Sequence, residues 1–174
     1  ASLVSEFGVR AAGLALDVRD SGRVNEVMAR AVEIMGRLDI LVNNAAGNFY
    51  YPAEKLRDSQ WKAVVEIDLY GTFFCSRAAF PYLQAQGGTI VSTSMTLHHT
   101  GWVGMVPACS AKAGIDAMTK TLAQEWGRFG IRVGLADHLD KTDDLQTFIG
   151  MVEKTLIALR HGHHVEFCGM IANT

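Results

Sequence analysis

The 174-residue sequence predicts an α/β fold: a Rossmann-like, doubly wound parallel sheet in three layers (α/β/α), incomplete at the N-terminus. Two observations predict it. Short apolar runs rich in β-branched residues recur along the chain, and stretches with helical periodicity fill the gaps between them. Strands that alternate with helices run parallel, because parallel neighbours need crossover connections.

Residues 12–16 (AGLAL) form the first apolar run, end at Asp17 and read as a buried strand. Between Gly22 and Gly36 the apolar residues Val24, Val27, Met28, Ala31, Ile34 and Met35 recur at helical spacing, and Gly36 is the stop. Residues 38–44 (LDILVNN) suit a strand covered on both faces. A long helix is expected over about 58–86, with Trp61, Val64, Val65, Leu69 and Phe73 on its inner stripe and Pro81 bending or ending it. Residues 88–93 (GTIVST) read as a strand, 107–129 as a helix with Pro near its start and Gly130 as its stop, and 131–136 as a further strand. Beyond these, TFIGMVEKTLIALRHG suits a helix and HHVEFCGMIANT a strand. The division expected is a partial Rossmann-type domain over 1–136 and a divergent extension over 137–174.

A net charge of −2 makes no electrostatic case for nucleic acid or a membrane surface as partner. No apolar run approaches the roughly 20 residues that span a bilayer. Cys75, Cys109 and Cys168 are odd in number and lack a C-x-x-C pair, which fits free thiols in a reducing compartment. His98-His99 and the cluster His161, His163, His164 come without acidic or cysteine ligands at a recognised spacing, so no metal is expected. Ser94 lacks the nucleophile elbow of a serine hydrolase.

In such sheets ligands bind beyond the carboxyl ends of the strands. Asp17 stands there, as do Asn43, Asn44, Ala45, Ala46, Gly47, Asn48 and Phe49, and then Ser94, Met95 and Thr96. Small residues at Ala45, Ala46 and Gly47 let a backbone approach a ligand closely. Lys112, four residues before Asp116 on one helix face, is a lone amine among small residues. Asp68 lies in a mostly apolar helix, where a buried carboxylate is costly unless paired.

Taken in order, Asp17-Val18, LDILVNNAAG, GTIVSTS, SAKAG and GIRV resemble the short-chain dehydrogenase/reductase family. The resemblance implies that Asp17 and Val18 hold an adenine, that Asn44, Ala45, Ala46 and Gly47 line a nucleotide groove with Ser94, and that Lys112 binds the nicotinamide ribose. The family's usual catalytic tyrosine falls at Ala108, its serine partner at Met95, and its helix asparagine at Asp68. One subgroup, the peroxisomal-type 2,4-dienoyl-CoA reductases, shares that gap and is similar to this chain in NNAAGNF, EIDLYGTF and SAKAGIDAMTK. That likeness implies NADPH (with NADH the alternative) as cofactor and an acyl-CoA thioester as substrate. Asp68 would orient the water that protonates the substrate and Asn48 would bind the thioester carbonyl. Asp116 would pair with Lys112, and Arg19, Phe49, Ser59 and Thr96 would touch the substrate. It also implies a homo-oligomer, peroxisomal in a eukaryote and cytoplasmic otherwise. The family's glycine-rich T-G-x-x-x-G-x-G turn is missing from the sequence, and the expectation is a truncated reading frame. A catalytically inactive fragment that keeps the oligomerisation helices is the alternative from another class, and a generic carbonyl reductase is a third.

Overall fold

A computed structural model describes residues 11–138 and 165–168. Strands β1 (Ile40–Asn43), β2 (Gly88–Met95), β3 (Ile131–His138) and β4 (Val165–Cys168) form one sheet in the order β3-β2-β1-β4, parallel at every step. Val42 stands opposite Val91 and Asn43 opposite Ser92, so the residues after β1 and those at the end of β2 leave the sheet at the same edge. The steps from β1 to β2 and from β2 to β3 go the same way across the sheet. Right-handed crossovers therefore set their two helices on one face.

The expected strand at 12–16 does not form. Residues 11–15 are exposed and make no ladder. The edge of β1 that points away from β2 is hydrogen-bonded to β4 instead, within the segment expected to be a separate extension. An apolar run becomes a strand only where a partner edge is open to it, and composition does not report that.

Helix α1 (Ser21–Met35) starts where the Asp20 carboxylate accepts from the Arg23 N–H at 3.0 Å. It ends at Gly36, whose φ of 94° is the left-handed conformation that glycine adopts freely. Helix α2 (Asp58–Val65) runs through a π turn (Glu66–Tyr70) into α3 (Gly71–Leu83), which ends two residues after Pro81. The inner face of this long helix differs from the stripe expected. Val64 is buried, but Trp61 and Phe73 are 39% and 37% exposed. The inward residues are instead Gln60, Val64, Asp68, Thr72, Cys75, Ser76, Ala79 and Leu83. Most are small or polar, because the helix packs too closely on its neighbours for bulky side chains. A Cβ at Gly71 would stand 2.6 Å from Cγ2 of Val18.

A short helix α4 (Leu97–Thr100) follows β2, and α5 (Val106–Trp126) leads through a 3-10 turn to Gly130, which again takes a positive φ, 73°. Leu41, Ile90, Ala79, Leu83, Met28 and Ile131 make the centre of the core, between the sheet and α1 and α3. Residues of the expected helix TFIGMVEKTLIALRHG lie outside the described residues. No helix among the described residues is long and apolar enough to cross a membrane.

Candidate active site

The loop after β1, the π turn and helix α5 bring three expected residues together. The Asp68 side chain is almost fully enclosed and points from the π turn toward the carboxyl end of β1. Its Oδ1 accepts from the Gly47 N–H at 2.8 Å, and its Oδ2 lies 3.9 Å from Lys112 Nζ. Lys112 Nζ donates to the main-chain carbonyl of Thr93 at 2.7 Å. Thr93 in turn donates from its hydroxyl to Asn44 Oδ1 at 3.0 Å. Carboxylate, amine, turn amide and strand end are thus joined by hydrogen bonds and one ion pair between β1, β2 and α5.

Burial sets the electrostatics of the pair. Loss of water around Asp68 pushes its carboxyl up to about 6, against the pull of Lys112 and the Gly47 N–H. Burial likewise lowers Lys112, against the pull of Asp68. Each group is moved toward its neutral form, and Asp68 is brought within reach of protonation close to neutral pH.

Asp116 is not where the sequence placed it. Its Oδ2 takes a hydrogen bond from Lys120 Nζ at 2.7 Å, and Lys112 faces Asp68 and Thr93 instead. The register of α5 explains the difference. Lys112 is buried against β2, while Asp116 one turn on is partly exposed beside Lys120. His98 also meets Asp116: its Nδ1 contacts the Met95 carbonyl, and its Nε2 lies 3.9 Å from Asp116 Oδ2.

Ahead of α1 Val18 is buried, whereas Asp17 and Arg19 bind each other. Arg19 donates from Nε to Asp17 Oδ1 at 2.9 Å and from Nη2 to Oδ2 at 2.6 Å, which holds the Asp17 carboxyl below its usual range. Ala45 is buried, while Ala46, Asn48, Phe49 and Ser59 are exposed, and Thr96 is half-buried at the start of α4. None of Asn48, Phe49 and Ser59 is buried with the Asp68–Lys112 pair. Ser94 is fully buried and its hydroxyl has no partner.

Sequence reasoning missed the polar support behind this unit. Asn43 Nδ2 donates to Ser76 Oγ at 3.0 Å and to Ser92 Oγ at 3.2 Å. Ser76 and Thr72 each donate to the carbonyl four residues back. The signal was present: Asp68, Thr72 and Ser76 recur every four residues on one helix face.

A nicotinamide-ribose portion fits what is present. Lys112 has two ammonium hydrogens left after the bond to Thr93, and the Ser94 hydroxyl is unpaired. A Cβ at Gly47 would meet only Ile67 Cδ1, at 3.6 Å, so the turn leaves room for a ligand. No group of three potential metal ligands occurs among the described residues.

Residues 1–137 match the family model for short chain dehydrogenases. The chain belongs to this family. Short chain dehydrogenases are NAD(P)-dependent oxidoreductases, and the parallel sheet with its crossover helices is their Rossmann-type fold. A Bacillus subtilis (strain 168) relative named probable 2,4-dienoyl-CoA reductase, (2E)-enoyl-CoA-producing, is 46% identical over 132 residues, 74% of this chain and 52% of its own. The Danio rerio peroxisomal 2,4-dienoyl-CoA reductase, (3E)-enoyl-CoA-producing, is 44% identical over 132 residues, 75% of this chain and 44% of its own. A crystal structure of a short chain dehydrogenase from Bacillus anthracis superposes with a TM-score of 0.66 at 45% identity, covering 69% of this chain and 50% of that one. The chain spans about half the length of the curated relatives it matches.

Proposed function

We propose that this chain carries the proton-handling site of an NADPH-dependent 2,4-dienoyl-CoA reductase. One observation carries the reading. Asp68 and Lys112 form a buried pair, Asp68 accepts from the Gly47 amide, and the helix that carries Lys112 has Ala108 where the family's usual tyrosine would stand. Ala108 is itself buried, one turn before Lys112 on the same helix. A ketone reductase needs an acid beside the carbonyl oxygen. Reduction of a conjugated C=C needs stabilisation of an enolate oxygen and a proton for carbon.

The reduced nicotinamide supplies a hydride to the δ-carbon of the dienoyl thioester when bound. Lys112, with Asn44 and Ser94 beside it, holds the ribose, and Asp17 and Val18 hold the adenine. Asn48 donates from Nδ2 to the thioester oxygen on which dienolate charge develops. Ionised Asp68 orients a water whose proton goes to the α-carbon, which leaves a 3-enoyl thioester. The hydroxide so formed recovers a proton from solvent through Asp68. Arg19 binds CoA phosphate, Phe49 lines the acyl group, and Ser59 and Thr96 contact the substrate. Asp116, tied to Lys120, has no place in this sequence of steps. The two relatives' names differ in the product, and protonation at the γ-carbon instead would give the 2-enoyl isomer. The whole protein would be a homo-oligomer, peroxisomal in a eukaryote and cytoplasmic otherwise.

The test is oxidation of NADPH by the whole protein with 2,4-hexadienoyl-CoA, with the double-bond position of the product read by NMR. Turnover that Asp68→Asn abolishes supports the reading. Reduction of simple ketones with no dienoyl-CoA turnover would overturn it.

A further inference from the structure

The carboxylate of Asp68 is delivered from a widened turn, and that turn is braced from behind. The Gly71 N–H donates to the Glu66 carbonyl, five residues back, which is the π spacing. Thr72 Oγ1 donates to the main-chain carbonyl of Asp68 at 2.6 Å, and Ser76 Oγ donates to the Thr72 carbonyl at 2.7 Å. Asn43 on β1 donates to Ser76 Oγ, and also to Ser92 Oγ on β2. Asn43, Asp68, Thr72, Ser76 and Ser92 are all buried. A continuous line of hydrogen bonds therefore runs from the two central strands to the backbone of Asp68.

We propose that Thr72 is a positioning residue for Asp68: its hydroxyl, backed by Ser76 and Asn43, holds the π turn that carries the carboxylate to the Gly47 amide and the Lys112 ammonium. A hydroxyl bonded four residues back is ordinary on an exposed helix, where it does little more than bend the backbone. Thr121 makes that bond to the Ala117 carbonyl at 3.0 Å on the exposed side of α5. Thr72 differs in its burial, in its place at the π turn and in its link to the sheet. Were the turn to relax to α-helical spacing, the register would change by one residue, about 100° of rotation. The carboxylate would then leave the Gly47 amide. A π turn is a rare insertion found mostly at functional sites, and it persists only where its surroundings hold it.

This inference deepens the reading above and rests on it for its bearing on turnover, but its test reads the carboxylate directly. The Asp68 carboxyl is identified by ¹³C NMR of the whole protein as the resonance missing from Asp68→Asn, and is titrated alongside amide exchange at Gly47. Thr72→Val keeps the shape and removes the hydroxyl. It is expected to move the Asp68 midpoint by roughly half a unit or more, because the carboxylate leaves the burial that raises it as well as the amide and ammonium that favour its charge. Gly47 exchange should quicken about tenfold as its acceptor withdraws. Thr72→Ser should restore both, and Thr121→Val should move neither. A midpoint that does not move in Thr72→Val, or one that moves equally in Thr121→Val, overturns the proposal. If Thr72→Val does not fold, Ser76→Ala decides: a smaller shift supports the proposal and no shift overturns it. Loss of dienoyl-CoA turnover in the wild-type whole protein would sink the function reading and leave this measurement intact.

Discussion

Asp68 shows how one residue's surroundings set its chemistry. A carboxyl near 6 is ionised at neutral pH yet within reach of protonation, which suits a group that holds a water and takes up a proton. If the ionised form is the working one, kcat/KM should fall about tenfold per unit as pH drops below roughly 6. Asp68→Asn should cost on the order of 10²–10⁴ in turnover and erase that limb, measured as a pH profile of NADPH oxidation. Stability moves the opposite way. A carboxyl raised in the folded state stabilises the fold below its unfolded value of 3.8, and that contribution is lost as pH rises through about 6. Urea unfolding from pH 4 to 7 should show wild type losing on the order of 3 kcal/mol from this group, with a flatter curve for Asp68→Asn. The sequence made Asp68 suspect as a charge in an apolar helix. It did not reveal that Gly47 holds it, because that bond joins separate segments of the chain, whereas the Thr72 bond was signalled by the four-residue recurrence of Asp68, Thr72 and Ser76.

Among the elements, the long helix from α2 to α3 was legible in extent but not in orientation. Its ends were close to expectation, since Asp58 opens it and Pro81 is followed by its end at Leu83. Its inner face was misread, because large apolar side chains were taken to point inward. The space beside α1 and the sheet admits only small ones, and Phe73 is left outside near Arg77, whose guanidinium lies 5.1 Å from its ring. Gly71 marks the tightest approach. Gly71→Ala should force Val18 aside and cost about 1–3 kcal/mol, seen as a lower thermal midpoint, although alanine is the better helix former. A Tm at or above wild type would show that the helix can shift instead.

For the molecule as a whole, β4 is the element that matters most. It closes the outer edge of β1, to which the expected strand at 12–16 does not pair. Deletion of residues 139–174 should bare that edge, and an unpaired edge invites pairing between chains. Light scattering should then rise on standing, more than for the full chain at equal concentration. Unchanged scattering would mean that the edge of β1 is not adhesive when exposed.

The order of motifs alone determined that this chain is a parallel α/β protein of the short chain dehydrogenase family, because local spacing records which residues must face a sheet, turn tightly or end a helix. It also singled out Asp68 and Lys112, one a charge among apolar residues and the other an amine among small ones. Only the tertiary structure decided what each of them meets. Asp68 and Lys112 lie 44 positions apart, and their contact follows from the pairing of β1 with β2 and the depth of the π turn. For Asp116, four residues from Lys112, proximity in sequence suggested a partner that helix burial gave instead to Lys120. Pairing across a sheet and the rotation of a helix about its axis are set by packing, and short-range pattern carries little of either.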